Sequence, residues 1–285
     1  MSGLVRLLRG GGRPPAPGLI VLMYHAIDDR RDHDQLALSR TLFRQQMGWL
    51  RELGYPVVPL QAGAAALGTG TLRSTVVALT FDDGYLSLYT EAFPILQEHG
   101  YPATAFLIGE VIERGGCATG MPERLGPAME WRHAREMLRH GITFGSHSMT
   151  HRNLARLPLD QVRFEIGESK RMIEDRLSMA VTDFAYPYGS YGSFSEATTR
   201  IARECGFATV STTVAGHNRR PGDVWRLRRL RISWTDGSRR EIGKQCGGCY
   251  NWYALYQRLQ GWWAGPRGRA GRLTAGKVIG AGRGR

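Results

Sequence analysis

The chain reads as an α/β fold with parallel strands. Three observations predict it. Short apolar runs recur from Leu19 to Ser233, stretches of helical length separate them, and several of those stretches stop at a glycine just before the next run, at Gly54, Gly100, Gly141 and Gly206. This punctuation marks strands alternating with helices, and a helical crossover is what a parallel neighbour requires. A chain of 285 residues that is 42% hydrophobic has ample material for a buried core.

The run 19–24, Leu-Ile-Val-Leu-Met-Tyr, is apolar throughout, as a strand buried on both faces should be. Ser39 is placed to cap a helix running to Leu53. Residues 61–75, rich in Ala, Gly and Thr, read as a loop. Strand 75–81 follows, then a helix from Leu86 to His99, strand 102–108, and a Gly-, Pro-, Cys- and Met-containing loop over 113–127. A helix from Ala128 to His140 leads to strand 142–145, and Pro158 suits the first turn of the next helix. After strand 181–186 a helix begins past Ser193, with Glu196 completing a capping box, and stops at Gly206. Strands 207–211 and 224–233 close the series. In the last, Arg226-Leu227-Arg228-Arg229-Leu230-Arg231-Ile232 alternates basic and apolar residues, giving a strand with one charged face.

Two short segments carry the chemistry. Thr80-Phe81-Asp82-Asp83-Gly84 follows the run Thr75–Leu79, and His147-Ser148-Met149-Thr150-His151 follows Ile142-Thr143-Phe144. Alone, an Asp-Asp-Gly is a solvated turn and a His-x-x-x-His is a helix face. Together, each at the end of a strand in a βα series, they meet where α/β sheets gather ligands. One Asp and two His form a three-ligand set for a divalent metal with open positions, and the second Asp remains as a base. Adjacent residues at a strand end point to opposite sides, so one carboxylate can reach a metal while its neighbour reaches water. A bound metal lowers the pKa of its water from about 16 toward 7 and polarises a carbonyl, which suits hydrolysis of an amide or ester.

These segments resemble the polysaccharide deacetylases with a NodB-homology domain, carbohydrate esterase family 4. Thr80–Gly84 matches that family's first motif. His147-Ser148-x-x-His151 with Asn153-Leu154 matches the second, and Phe184-Ala185-Tyr186-Pro187-Tyr188-Gly189 resembles the third. The similarity spans roughly Leu19 to Ser233. It implies a deformed (β/α) barrel and a metal-dependent hydrolase that removes acetyl groups from the N-acetylated sugars of a polysaccharide or its precursor. It implies one divalent metal, zinc foremost, with cobalt, nickel and iron(II) as other ions. By position, Asp82 is the general base, and Asp83, His147 and His151 hold the metal. Tyr186, Pro187 and Tyr188 border the substrate, and the Tyr188 N–H helps to stabilise the oxyanion.

The chain departs from the family pattern twice. Many members carry Arg where this chain has Ala185, and that Arg orients the base. The late Leu-x-His motif that supplies the general acid is absent after Tyr188, where the remaining histidine is His217. The strand 19–24 instead ends in Tyr24-His25, as in the branch of the family acting on poly-N-acetylglucosamine. His25 is therefore the expected acid and His217 its rival. Other readings of the same residues are an amide hydrolase on a non-sugar substrate and a non-catalytic carbohydrate-binding protein.

The net charge of +13 is confined to one end. Residues 1–218 hold 22 Lys+Arg and 22 Asp+Glu, whereas residues 219–285 hold 16 and 3. A neutral catalytic part excludes a basic nucleic-acid surface there. Tyr250 to Trp263 shows aromatic residues at helical spacing, and Gly265 to Arg285 is Gly- and Arg-rich, read as disordered. Such an end suits a helix packed on the barrel with a solvated tail, peripheral contact with an anionic membrane, or, as a third partner, nucleic acid or an acidic glycan. Cys246-Gly247-Gly248-Cys249 has the spacing of half a zinc site but no second pair, and disulfide and free thiols both remain open. Residues 1–18 contain three arginines, three glycines in a row and only a four-residue-scale apolar stretch, so no export signal is read and a cytoplasmic position is expected, with a peripheral place at the membrane as the alternative. The expected organisation is an extension over 1–18, a catalytic domain over 19–235 and a basic, aromatic segment over 236–285.

Overall fold

The computed structural model describes residues 16–29, 34–115, 125–248 and Gln257. Strand β1 (Gly18–Tyr24) leads through two short paired strands, β2 (Ala26–Ile27) and β3 (Ala37–Leu38), to helix α1 (Arg40–Glu52). Helix α2 (Leu60–Gly68) precedes β4 (Thr75–Phe81), and α3 (Phe93–His99) precedes β5 (Ala103–Leu107). Helices α4 (Gly109–Arg114) and α5 (Trp131–Leu138) precede β6 (Ile142–Ser146). Then come α6 (Leu159–Leu177), β7 (Asp183–Ala185), α7 (Glu196–Glu204), β8 (Thr209–Ser211), β9 (Leu230–Arg231) and α8 (Arg239–Gly247).

Seven strands form one parallel sheet in the order β8-β7-β6-β5-β4-β1-β9. The curl closes through the segment leading into β9. Leu227 bridges Ser211 of β8, while Leu230 and Arg231 pair with Leu22 and Met23 of β1. Backbone bonds from Thr212 to Leu227 (2.8 Å) and from Ile232 to Met23 (2.9 Å) complete the two seams. The result is a deformed (β/α) barrel.

Strand alternation divides the side chains into two sets. Ile20, Leu22, Tyr24, Val77, Leu79, Phe81, Phe144, Phe184 and Tyr186 face outward into the layer of helices. Leu19, Val21, Ala78, Phe106, Ala185 and Leu227 face inward, where they pack with Leu60, Ala64 and Leu67 of α2. Phe106 is fully buried among these inward residues. Gly145 on β6 exists because of this ring: a Cβ there would lie 2.6 Å from two Phe106 carbons and 2.7 Å from the Asp183 carbonyl oxygen.

Several expectations change. Residues 61–75 are not a loop throughout, because α2 occupies 60–68. Its Ala and Leu residues are strong helix formers, and Leu60, Ala64 and Leu67 make one apolar face. The helix after β7 is capped by Ser195, whose hydroxyl accepts from the Thr198 N–H, with Thr198 rather than Glu196 returning the bond. The expected strand 224–233 begins as a 3₁₀ turn over Pro221–Arg226. Ser39 caps α1 as expected, accepting from the Leu42 N–H at 3.2 Å. Among the described residues no helix is long and apolar enough to cross a membrane. Cys246 is buried on α8, its thiol pushed up to about 12 by burial. Cys249, Trp262, Trp263 and the tail 265–285 lie outside the described residues.

Replacing Gly145 by Ala should overpack the interior, because the new methyl meets Phe106 on one side and backbone on the other. The expected loss is about 1–3 kcal/mol, read from urea unfolding.

Candidate active site

Strand alternation also aims the site residues. Met23 and His25 continue the inward set of β1, and Thr80 and Asp82 continue that of β4. All the strands are parallel, so these residues meet at the carboxyl end of the barrel. A cavity of about 680 Å³ opens there, bordered by His25, Asp82, Asp83, His147, His151, Tyr188 and Arg229 among others.

At its floor Asp82 meets Arg229. The guanidinium is fully buried and donates twice to the carboxylate, Nη1 to Oδ1 at 2.6 Å and Nη2 to Oδ2 at 2.7 Å. Its Nε donates to the Thr212 carbonyl at 2.8 Å, and the group lies 5.4 Å from the centre of the Phe106 ring. Burial alone would raise the Asp82 pKa, but the charge of Arg229 overrides it and holds the group at about 2. The folded value lies below the unfolded one. The pair therefore contributes stability above the ordinary carboxylate range and loses it as pH falls through about 2.

Asp83, the next residue, has the opposite fate. Its Oδ1 lies 3.4 Å from His147 Nε2 and 3.5 Å from His151 Nε2. These three ligand atoms all fall within 4.8 Å of one another. Burial and the Asp82 charge push the Asp83 carboxyl up to about 8, and its Oδ1 has no hydrogen-bond partner among the described residues. The second ring nitrogen of His147, Nδ1, donates to the Ala185 carbonyl at 2.8 Å, which turns the lone pair of Nε2 toward Asp83. A buried carboxylate oxygen without a donor, flanked by two imidazole nitrogens, is a donor set that suits a divalent cation.

The backbone around this trio is strained. Asp83 (φ 73), Ser148 (φ 67), His151 (φ 61) and Tyr188 (φ 63) all adopt left-handed conformations without being glycine. Each costs of the order of 1–3 kcal/mol and persists only where its surroundings hold it. Glu165, buried on α6, holds the histidine loop. Its carboxylate accepts from the N–H groups of Met149 (3.0 Å) and Thr150 (2.9 Å) and from the Thr150 hydroxyl. The Ser148 hydroxyl accepts from the His151 N–H at 3.0 Å. On the other side, Gly109 and Glu110 at the start of α4 donate to the carbonyls of Ser148 and Met149.

The remaining sequence candidates fall in different places. His25 borders the cavity, and burial, the largest influence, lowers its pKa to about 4. His217 does not border it. It is buried with Nε2 2.9 Å from the Gln245 carbonyl, next to Asn218, which bridges Leu19 at the opposite end of β1. Tyr188 borders the cavity and stays half exposed, its ring 5.0 Å from that of His151. Tyr186 and Pro187 are not among the lining residues. Tyr186 is in the outward set of β7, fully buried, with its hydroxyl 3.1 Å from that of Thr199 and its ring stacked on Phe194. Ala185 points inward, and the guanidinium that position lacks arrives from Arg229, the residue before β9. Arg229 and Glu165 are the residues that motif reading missed. The signal for Arg229 was the period-2 pattern itself, since Leu227, Arg229 and Arg231 share one face and Leu227 is inward.

A parallel barrel with a buried Asp–Arg pair beside an Asp-His-His trio at its carboxyl end defines the class: a hydrolase built on an α/β barrel. A family model described as polysaccharide deacetylase matches residues 69–210. YxkH, a Bacillus subtilis (strain 168) protein named for polysaccharide deacetylation, is 31% identical over 216 residues, covering 75% of this chain and 71% of its own. The poly-β-1,6-N-acetyl-D-glucosamine N-deacetylase of Escherichia coli (strain K12) is 38% identical over 101 residues, 35% of this chain and 15% of the relative. Among solved structures, the Streptococcus pyogenes deacetylase PplD in complex with acetate superposes with a TM-score of 0.71 at 26% identity, covering 81% of this chain and 99% of PplD. The chain belongs to the polysaccharide deacetylase family, hydrolases that act on carbon–nitrogen bonds. His25 and Arg229 both lie outside the stretch matched by the family model.

Arg229→Met should destabilise the protein by about 3–5 kcal/mol, because it strands a buried charge. Arg229→Met combined with Asp82→Asn should recover much of that loss, as a urea-unfolding double-mutant cycle will read. Independent, additive losses would show that the two side chains are not coupled.

Proposed function

We propose that the chain is a divalent-metal-dependent N-deacetylase of N-acetylhexosamine glycans, releasing acetate and leaving a free amine. The observation that carries this reading is the split between two consecutive carboxylates. Asp82 is compensated by Arg229, while Asp83 is left with two imidazoles and an orphan oxygen. The E. coli relative is named for N-deacetylation of a poly-N-acetylglucosamine, and PplD was solved with acetate, which supports the substrate class.

In this mechanism Asp83, His147 and His151 hold the ion, with zinc the first candidate and cobalt, nickel or iron(II) as substitutes. When bound, the metal activates water and polarises the amide carbonyl. Asp82 accepts the proton that water loses. Arg229 fixes both of its oxygens, so the base has one orientation. The Tyr188 N–H steadies the developing oxyanion. His25 delivers a proton to the departing amine nitrogen. With a pKa of about 4 it is neutral at pH 7, so it must first receive the proton that water gives up. Asp82 and His25 then act as the two ends of one transfer, and the Asp82 charge raises the His25 pKa against the larger effect of burial.

Acetate release from N-acetylglucosamine oligomers tests the reading. A chelator should abolish it and added zinc should restore it. Asp82→Asn and His25→Ala should each lower kcat by about 10²–10⁴-fold. Unchanged acetate release in Asp82→Asn, or with the metal removed, would overturn the proposal. Arg229→Lys supplies a second check through the pH–rate profile. With the paired guanidinium gone, burial acts on Asp82 less opposed, and the acid limb should move upward from its wild-type position.

A further inference from the structure

Gln257 is the one described residue beyond Gly248, and it borders the cavity. Its carboxamide takes up the backbone on both sides of Val214. Nε2 donates to the Thr213 carbonyl at 3.2 Å, and Oε1 accepts from the Ala215 N–H at 2.8 Å. The side-chain amide thus does for this segment what the peptide of a neighbouring strand would do. Thr213 and Ala215 themselves border the cavity.

Thr213 in turn grips the Tyr188 turn. Its N–H donates to the Gly189 carbonyl at 2.9 Å, and its hydroxyl donates to the Tyr188 carbonyl at 2.8 Å. The contact is close: a Cβ on Gly189 would lie 2.6 Å from Thr213 N. Tyr188 needs such a grip, since its φ of 63 is left-handed and a tyrosine does not hold that conformation unaided. Its ring lies against the His151 ring.

We propose that Gln257 is a positioning residue for the acyl group. It fixes residues 213–215, which fix the Tyr188 turn, which shapes the wall beside the acetyl group. The proposal rests on the deacetylase reading above. Gln257 also lies well outside residues 69–210, the part matched by the family model. Gln257 thereby supplies a part of the site that the shared motifs do not.

Acyl selectivity is the readout, because loss of folded enzyme lowers all rates together and leaves a ratio untouched. The full-length, metal-loaded chain is assayed on N-acetylglucosamine oligomers and on their N-propionyl counterparts. Wild type should prefer the acetyl substrate by about 10-fold or more in kcat/KM, the discrimination that one methylene brings in a fitted pocket. In Gln257→Ala and Gln257→Met the preference should fall to about 2-fold, with thermal unfolding and metal content per chain as in wild type. Adding Thr213→Val to Gln257→Met should move the ratio little further, since both act along one path. An unchanged ratio in the folded Gln257 variants overturns the proposal, as does full additivity with Thr213→Val. A wild-type chain that releases neither acyl group overturns the deacetylase reading instead.

Discussion

Asp82 can remain ionised at the floor of an apolar barrel only because Arg229 meets it there with two hydrogen bonds. Much of the architecture serves that meeting. The guanidinium reaches the floor because residues 227–231 form the last stave, seamed to β8 on one side and to β1 on the other. Phe106 gives the guanidinium an aromatic face, and Gly145 gives Phe106 its room. Compensation of one carboxylate also defines the role of the next. Were both Asp82 and Asp83 left unpaired, two like charges would share one desolvated site and one would take up a proton. With Asp82 held at about 2 and Asp83 raised to about 8, the two have separate chemistries. One stays charged because Arg229 meets it, and the other calls for a cation.

The strain around the trio follows from the same crowding. Two of the three residues whose ligand atoms lie within 4.8 Å of one another, Asp83 and His151, sit at left-handed bends just past the strand ends. The chain bends out of the β region at Asp83, and twice more between Ser148 and His151. The bends of the histidine loop are held by groups that are neither ligands nor bases: the Glu165 carboxylate, the Ser148 hydroxyl and the two N–H groups that open α4. The order of cause runs from Glu165 to the loop to the ligands. A buried acid that looks redundant beside a metal-type site is thereby given work without touching it.

Much of this was legible in the sequence, for reasons that can be stated locally. The spans of β1 and β4 follow from continuous apolar runs, and α1 starts where Ser39 places an acceptor. The trio was legible because two motifs each end a strand, and parallel strands bring their ends together. Residues 61–75 were misread because composition rich in Ala and Gly resembles a loop until the spacing of Leu60, Ala64 and Leu67 is counted. Tyr186 lies away from the cavity because the strand period holds inside a motif as well. Counting alternate residues from Ala185 sends Tyr186 outward and leaves Tyr188 beyond the strand. Arg229 was seen only as part of a charged face. Its depth depends on barrel closure, which joins residues 147 positions apart and which no local pattern encodes.

Of the two residues that complete the site, His25 directly follows β1 and Arg229 directly precedes β9, and those strands are neighbours in space. A parallel barrel makes this arrangement natural. Every strand delivers its last residue to the same mouth, so a group lost from one strand can be replaced from another without moving the reacting centre. Ala185 and Arg229 illustrate the exchange: β7 supplies a backbone carbonyl, to His147, and the residue leading into β9 supplies the charge, to Asp82. The family model matches residues 69–210, and the strands that carry His25 and Arg229 to the mouth lie on either side of that span. For such a barrel, a motif missing from its usual strand is weak grounds for a decayed site. The sound test is whether any strand end, in whatever order, brings the needed atom to the mouth.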